Sequence, residues 1–273
     1  MRHAFLIIAH HEPELLRTLV TLIDHPMCDI YIHIDRKSDM NLFKDINTRQ
    51  SKIEFIQDRI NVRWGDYSQI LTEIKLFDAA HKKGEYSYYH LLSGVDLPLK
   101  PIGTILKWFE DNDGYEYLGA HPAPKKFQKR MHRKYFFITR KRNIATSVIL
   151  GLEKIMGLKW NTGTDVWMSS NWGSFTDGFV SQIILNRDWI EKHFKYSFCG
   201  DELYKSTLMH HLGLEKNDRG SLLHVDWEKG NPYTFQDDDY EDLIRSDKMF
   251  ARKFSIKQES LINKIKEHLL EHA

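Results

Sequence analysis

The stretch Ala4-Phe5-Leu6-Ile7-Ile8-Ala9-His10-His11-Glu12-Pro13 is an apolar run of strand length that ends abruptly in polar residues. A continuous apolar run stopped in this way is typical of a strand that is buried on both faces. Leucines and an isoleucine at three- and four-residue spacing follow over residues 15–23 and predict a helix. The stretch therefore predicts the first strand and the first helix of an α/β fold.

The same alternation continues through the first third of the chain. Further strands are predicted at Asp29–Asp35, Ile53–Ile56 and Tyr88–Leu92, and a further helix at Ser68–His81. Strands that alternate with helices predict right-handed crossovers and a mostly parallel central sheet with flanking helices. The C-terminal half of the chain is predicted to be rich in helices and loops.

Polar side chains lie at or near the carboxyl ends of three of the predicted strands. They are His10, Asp35 with Arg36, and Asp96. In open parallel sheets, ligands bind beyond the carboxyl ends of the strands. We therefore expect these side chains to border one cleft.

Length and composition indicate a globular protein of one domain, residues 1–273. Of its residues, 41% are hydrophobic, and 39 Lys+Arg stand against 38 Asp+Glu. A net charge of +1 is unlike that of proteins that bind nucleic acid through overall basicity. Two cysteines cannot form a disulfide framework, and no apolar stretch reaches the ~18 residues of a membrane span. We expect a soluble, cytoplasmic protein.

The segment 125–142 is strongly basic and precedes an amphipathic stretch. It carries nine Lys/Arg and no acid. One face of the helix predicted behind it carries Ile144, Val148, Leu152 and Met156. One interpretation is peripheral contact of 125–156 with the inner face of an anionic membrane. The other packs the apolar face on the sheet and leaves the basic run to solvent or the acceptor. We favour the second, because buried amphipathic helices are commoner.

The sequence lacks the common phosphate-binding loops, and its candidate metal-binding motifs are weak. Neither GxGxxG nor GxxxxGK[ST] occurs, which argues against a dinucleotide-binding or P-loop enzyme. The pairs His10-His11 and His210-His211 are adjacent, so their side chains diverge and a zinc site is disfavoured. Asp111-Asn112-Asp113 and Asp237-Asp238-Asp239 match the DxD pattern that binds a divalent cation beside a diphosphate. Their settings favour solvated turns, so no metal site is predicted.

Two short segments carry candidate chemistry, and each has a structural explanation beside the functional one. Asp201-Glu202 lies at the start of a helix predicted over about Glu202–Leu212, and acids are common in a first helical turn because they interact favourably with the helix dipole. Beside a cleft, Glu202 is instead a candidate general base. The segment Phe250-Ala251-Arg252-Lys253-Phe254 is either a surface cation pair between buried aromatic residues or a clamp for a phosphate.

Several short motifs, taken in order, resemble the core-2/I-branching β-glycosyltransferases, the group that includes the peptide O-xylosyltransferases. The motifs are Ile7-Ile8-Ala9-His10-His11, Ile32-His33-Ile34-Asp35, Arg59 with Trp64-Gly65, Leu92-Ser93-Gly94-Val95-Asp96-Leu97-Pro98-Leu99, Ser170-Asn171-Trp172, Asp201-Glu202-Leu203, His224-Val225-Asp226-Trp227 and Phe250-Ala251-Arg252-Lys253-Phe254. Each motif is short, but the ordered set is quite specific.

The resemblance implies a GT-A-like fold and an inverting transfer from a UDP-sugar, without a metal or another cofactor. By position, Glu202 resembles the base that deprotonates the acceptor hydroxyl, and Arg252 and Lys253 resemble the cations that hold the diphosphate. The other positions for the sugar donor are matched by His10, Asp35, Arg59, Trp64 and Asp96, and those for the acceptor by Asn171, Trp172 and Trp227. A nucleotide-binding half is expected over about 1–120, and a half for the acceptor and the diphosphate over about 121–273.

Within the family, the chain resembles a bacterial-type member closer to the peptide O-xylosyltransferases. The reasons are the Ala-Arg-Lys-Phe form of the cation motif and Tyr233-Thr234, where branching enzymes carry an additional Arg. Asn171 departs from that branch, which has Asp there. The expected function is transfer of GlcNAc or xylose to a hydroxyl of a glycan or glycolipid. The alternative is a non-catalytic nucleotide-sugar or glycan-binding module on the same fold, because fold does not determine function.

Overall fold

A computed structural model describes residues 1–84, 86–136, 144–228 and 231–272. The strands are β1 (His3–Ala9), β2 (Cys28–Ile34), β3 (Lys52–Phe55), β4 (Tyr88–Ser93), β5 (Asp96–Pro98), β6 (His121–Pro122), β7 (Trp167–Met168), β8 (Gly173–Thr176), β9 (Leu223–Val225), β10 (Trp227–Glu228), β11 (Asn231–Pro232) and β12 (Phe250–Arg252). The helices are α1 (Pro13–Leu22), α2 (Ser68–Lys83), α3 (Ile102–Asp111), α4 (Lys125–Gln128), α5 (Ile144–Ile155), α6 (Asp177–Leu185), α7 (Arg187–Phe194), α8 (Tyr204–His211), α9 (Tyr240–Arg245) and α10 (Glu259–Glu271).

The central sheet has the strand order β3-β2-β1-β4-β8 over the described residues. Strand β1 pairs in parallel with β2 on one side and with β4 on the other, and β3 pairs in parallel with β2. Strand β8 pairs antiparallel with β4 at one edge. The predicted α/β fold class, with a mostly parallel central sheet and flanking helices, is confirmed.

Helices cover both faces of the sheet, which explains why β1 is apolar on both sides. Phe5, Ile7 and Ala9 belong to a core that includes residues of α1, α3 and α10. Ala4 and Leu6 belong to a second core that includes residues of α2, α6 and α8. Successive side chains of a strand point to opposite faces, so a strand between two helical layers has little place for a polar residue. Burial on both faces fixes the strand ends from which the candidate residues emerge.

A second, three-stranded sheet brings the cation motif to the carboxyl end of β4. Its strand order is β5-β12-β9, with β12 antiparallel to β5 and parallel to β9. In this register Arg252 lies opposite Asp96, a residue 156 positions away in the chain. Phe250 and Phe254 are buried on either side of the cations. The motif is therefore part of a strand with an aromatic core beneath it.

The amphipathic stretch forms α5, and its apolar face does not pack on the sheet. The exposed fractions are 83% for Ile144, 56% for Val148, 50% for Leu152, 83% for Ile155 and 60% for Met156. The buried residue of this helix is Glu153, whose carboxylate accepts from the amide of Lys134 and the indole of Trp160, both at 3.3 Å. The helix turns a polar residue inward and its apolar stripe outward, so the favoured packing interpretation is wrong.

The basic run before α5 is described only in part, because residues 137–142 of it lie outside the described residues. Its first half contains α4 and the turn that follows. None of the helices in the described part of the chain is long and apolar enough to cross a bilayer.

Candidate active site

His10 and Asp35 lie at the carboxyl ends of β1 and β2, the edge where the topology predicts a cleft. The amide of Asp35 donates to the carbonyl of Ala9 at 2.9 Å, which holds the two ends side by side. The buried carboxylate of Asp35 accepts from the amide of Lys37 at 3.0 Å. Partial desolvation and the neighbouring His11 lower the pKa of His10, although Asp35 opposes the shift. The lowered pKa favours the neutral form of the His10 imidazole.

Arg59 orders the turn that follows β2. Its Nη1 donates to the carbonyl oxygens of Asp35 at 3.4 Å and of Ser38 at 3.1 Å. The hydroxyl of Ser38 donates in turn to the carbonyl of His10 at 2.7 Å. Three of the residues matched to the sugar-donor side, His10, Asp35 and Arg59, therefore form one cluster.

Asp96 and Arg252 form a largely buried ion pair where the two sheets meet. Arg252 Nη1 donates to Asp96 Oδ1 at 2.7 Å, and the amide of Ser93 donates to Asp96 Oδ2 at 2.7 Å. Burial raises the pKa of Asp96, an effect that the Arg252 charge opposes. Both carboxylate oxygens of Asp96 accept hydrogen bonds, and the bond from Arg252 orients the guanidinium. The guanidinium carbon also lies 4.9 Å from the centroid of the Trp172 ring.

Lys253 follows Arg252 at the end of β12. Its amide donates to the carbonyl of Tyr233 at 3.3 Å, and its carbonyl accepts from the amide of Phe235 at 3.1 Å. Among the described residues, no carboxylate lies within salt-bridge distance of its ammonium group. Lys253 is half-buried, and no carboxylate among the described residues compensates its charge. A cation in this setting is suited to bind an anionic ligand.

Glu202 closes a tight turn of 3₁₀ helix, Gly200–Glu202, and α8 begins two residues later at Tyr204. The helix predicted to start at Glu202 is therefore interrupted there. A Cβ atom at Gly200 would lie only 2.1 Å from the hydroxyl of Ser197. A larger residue would displace the Ser197 hydroxyl, which donates to the carbonyl of Phe194 at 2.7 Å.

Arg130 pairs with the candidate base, a contact that the sequence reasoning missed. Its Nη1 donates to Glu202 Oε2 in a salt bridge. The guanidinium also stacks on the ring of Phe127, at 4.5 Å from the centroid. Cation and carboxylate are 72 residues apart in the chain. The available signal was the basic run itself, which sequence reasoning assigned to solvent, the acceptor or a membrane.

Asp201, the neighbour of Glu202, points into the protein instead of the cleft. It is buried, and its Oδ2 accepts from the side-chain Nε2 of Gln69 at 3.0 Å. Burial, reinforced by the negative charges of Glu73 and Glu202, raises the pKa of Asp201 to about 7. The two adjacent acids therefore have different roles, since Asp201 is part of a buried network and Glu202 is half-buried.

A buried charge network stands behind the Glu202 turn. Lys205 Nζ donates to Glu73 Oε2 at 2.5 Å, to Asn171 Oδ1 at 2.9 Å and to the carbonyl of Asp201 at 3.3 Å. The hydroxyl of Tyr204 donates to the same Glu73 oxygen at 2.8 Å. Burial raises the pKa of Glu73, and the Lys205 charge opposes that shift. Asn171, matched to the acceptor side, is thus engaged by the network.

The segment 169–172 joins the candidate base to the cation pair. The amide of Ser169 donates to the carbonyl of Glu202 at 3.0 Å. Asn171 binds Lys205, and Trp172 lies under the guanidinium of Arg252. Four consecutive residues therefore contact both halves of the candidate site, which makes it one connected structure.

Trp64 and Trp227 occupy different positions relative to this site. Trp64 packs edge-on against Phe198, with ring centroids 5.4 Å apart, and the amide of Cys199 donates to the carbonyl of Gly65 at 2.9 Å. Trp64 therefore adjoins the Glu202 turn. Trp227 begins the hairpin of β10 and β11 and is 66% exposed, without a ring contact to the other candidates in the described part of the chain.

Both DxD-like segments are local turns, as expected from their settings. Asp111 ends α3. The segment Asp237–Asp239 is a 3₁₀ turn in which Asp239 Oδ2 accepts from the amide of Gln236 at 2.6 Å. The described residues contain no group of three or more His, Cys, Asp or Glu side chains arranged to hold a metal ion.

The chain matches a known protein family over most of its length. The model of the family described as Core-2/I-Branching enzyme matches residues 3–247. That range contains every candidate site residue except Arg252 and Lys253. Among solved structures, the chain is similar to 4-diphosphocytidyl-2C-methyl-D-erythritol synthase from Anaerococcus prevotii DSM 20548. The sequence identity is 12% and the TM-score 0.43, over 89% of this chain and 93% of that chain.

Proposed function

Because the chain belongs to the Core-2/I-branching enzyme family, we propose that it transfers a sugar from a UDP-sugar to a hydroxyl of a glycan or glycolipid. Membership of the family supports the transfer of a sugar from a nucleotide-sugar donor, since the family consists of glycosyltransferases that use nucleotide sugars. We further propose that the transfer is inverting and metal-independent and that it moves GlcNAc or xylose, as in the peptide O-xylosyltransferase branch. Glu202 is the proposed general base.

The observation that carries the proposal is the connection made by residues 169–172. This segment touches the backbone of Glu202 at one end and the guanidinium of Arg252 at the other. A transferase needs a base on the acceptor side and a positive charge on the side of the departing diphosphate. A direct link between the two supports a single reaction centre, because catalysis requires both to be positioned relative to the same substrate.

In the proposed reaction the Glu202 carboxylate takes the proton of the acceptor hydroxyl. The acceptor oxygen attacks the anomeric carbon from the face opposite the diphosphate, so the configuration inverts. The bond between that carbon and the UDP oxygen breaks, and its electron pair leaves with UDP. A positioned base contributes roughly 10²–10⁴-fold in rate.

Arg252 and Lys253 stabilise the charge that develops on the departing diphosphate. Arg252 is already oriented by Asp96, so it does not have to reorganise during the reaction. Lys253 adds a compact charge that has no carboxylate partner in the described part of the chain. Together they supply the electrostatic role that a divalent cation has in other nucleotide-sugar enzymes.

The test is a panel of UDP-GlcNAc, UDP-xylose, UDP-galactose and UDP-glucose, examined by thermal shift and by UDP release on addition of glycan acceptors. Each assay is run with EDTA and with Mn²⁺. The proposal expects stabilisation by UDP-GlcNAc or UDP-xylose above the others, and UDP release that EDTA does not reduce. Activity lost in EDTA and restored by Mn²⁺ would refute metal independence. Binding without release for any acceptor would favour the non-catalytic module.

A further inference from the structure

The exposed face of α5 is unusual for the surface of a globular protein. Its aliphatic residues recur at helical spacing and point outward, while the inward side carries Glu153. An aliphatic stripe along a whole helix is larger than the isolated apolar residues that monomer surfaces normally show. Leu158 and Trp160, shortly after the helix, are also exposed, at 43% and 36%.

The segment that carries the stripe is almost entirely positive. Residues 125–160 contain eleven Lys/Arg and one acid, Glu153, which is buried. The exposed cations of the described part are Lys125, Lys126, Lys129, Lys154 and Lys159. Within the described residues, none of these five has a carboxylate at salt-bridge distance. Their charge is therefore available to an external partner.

Direct contacts hold the basic turn and the end of α5 together. The ammonium group of Lys134 lies 3.5 Å from the centroid of the Trp160 ring. The amide of Trp160 donates to the carbonyl of His132 at 3.1 Å. Glu153 accepts from both segments. The cations and the stripe consequently form one surface, the basic apolar surface, made of residues 125–134 and 144–160.

We propose that the basic apolar surface docks on an anionic lipid membrane. Aliphatic side chains enter the boundary between headgroups and acyl chains, and lysines beside them reach the anionic headgroups. A nucleic acid would satisfy the cations and leave the aliphatic stripe in water. A second copy of the chain would cover the stripe but bring two strongly basic surfaces together, which like-charge repulsion opposes.

Docking also has a consequence for the substrate, which rests on the proposed function. Arg130 belongs to the basic apolar surface and pairs with Glu202. The candidate base therefore adjoins the surface that meets the membrane. A glycan attached to a lipid is the acceptor class that fits this arrangement.

The test is co-sedimentation of the full chain with vesicles of phosphatidylcholine alone or mixed with phosphatidylglycerol, at low and high salt. Leu152→Asp places a charge in the stripe, and Leu42→Asp makes the same change at a leucine of similar exposure elsewhere. Lys154→Glu with Lys159→Glu reverses two surface charges. Lys44→Glu with Lys264→Glu is the matched control, because both of these lysines are exposed and lie outside the surface. Thermal unfolding checks that each variant is folded.

We expect binding to the mixed vesicles at low salt and weaker binding at high salt. Leu152→Asp and the Lys154/Lys159 variant should each reduce the partition coefficient roughly tenfold or more, and the two controls should not. Absence of binding to mixed vesicles at low salt would overturn the proposal. So would equal losses in Leu152→Asp and Leu42→Asp, or binding to nucleic acid or self-association in its place. None of these readouts depends on transferase activity. Failure of the membrane proposal can therefore be distinguished from failure of the proposed function.

Discussion

The guanidinium of Arg130 forms a salt bridge with the carboxylate of Glu202 and so joins the basic run to the candidate base. Glu202 ends the turn Gly200–Glu202, and its carbonyl accepts from the amide of Ser169 at 3.0 Å. Both the backbone and the carboxylate of Glu202 are therefore held by a direct contact. This arrangement makes Arg130 a positioning residue for the proposed reaction.

Arg130→Gln should lower kcat/KM roughly 10- to 100-fold, because a charge-assisted hydrogen bond of about 1.5–3 kcal/mol is lost from the base. Affinity for the UDP-sugar should be nearly unchanged, since Arg130 contacts the acceptor side. Arg130→Lys should recover part of the loss. Arg133→Gln removes a nearby cation that has no carboxylate partner in the described residues. Equal activity of Arg130→Gln and Arg133→Gln would remove Arg130 from the mechanism.

Lys253→Ala should weaken UDP binding by about 1.5–3 kcal/mol, the value of a hydrogen bond to a charged group. The reason is that its ammonium group has no carboxylate partner among the described residues and is available to the diphosphate. Titration calorimetry with UDP measures the change. Lys248→Ala, which removes a cation beside Asp247 on the approach to β12, should have little effect. Unchanged UDP affinity in Lys253→Ala would contradict the assignment.

Lys205→Met should destabilise the protein by about 3–5 kcal/mol, because it leaves the carboxylate of Glu73 buried without its counter-charge. The double variant Glu73→Gln with Lys205→Met should recover most of that loss, since it also removes the charge of Glu73 that Lys205 compensates. Urea unfolding measures both. Lys195→Met, which breaks an exposed pair with Glu191, should cost at most about 1 kcal/mol. Equal costs for the single and double variants would show that the pair is not coupled.

Asp201 should make stability depend on pH. Burial raises its pKa from the ordinary value of 3.8 to about 7, so the folded state binds the proton more tightly than the unfolded state. The stabilisation is complete below about pH 4 and is lost as the pH rises through about 7, at up to about 1.4 kcal/mol per unit. Asp201→Asn removes this dependence, whereas Asp188→Asn, at an exposed acid, does not.

The measurement is urea unfolding of both variants and the wild type between about pH 4 and 8. Wild type should lose stability relative to Asp201→Asn across that range. Glu73, Glu202 and Lys205 face Asp201, and their charges are present in both proteins. Parallel stability curves for wild type and Asp201→Asn would contradict the prediction.

The sequence predicted the central sheet well because its strands and helices are long enough to show periodicity. The strands and helices up to α2 were all predicted, because apolar strands alternate there with amphipathic helices. Strands β5, β9 and β12 have three residues each, too few for any period. Strand β8 begins at a glycine and lacks alternation, so the sequence showed no strand there.

Contacts between distant residues were the part that the sequence did not reveal. Asp96 and Arg252 were each predicted as site residues, yet their pairing depends on the register of β5 and β12. The salt bridge of Arg130 depends on the turn after α4. The orientation of α5 was predicted wrongly because periodicity identifies an apolar face without identifying what covers it.

The central claim, that Glu202 is the base of a sugar transfer, is tested most directly by Glu202→Gln. The amide keeps the shape of the side chain but cannot accept the proton. Glu110→Gln, at an exposed acid in α3, is the control. Turnover and UDP-sugar affinity are measured on the same preparation. We predict that turnover falls by about 10²–10⁴-fold, while donor affinity changes less than about threefold. Turnover within about threefold of the wild-type value would contradict the account.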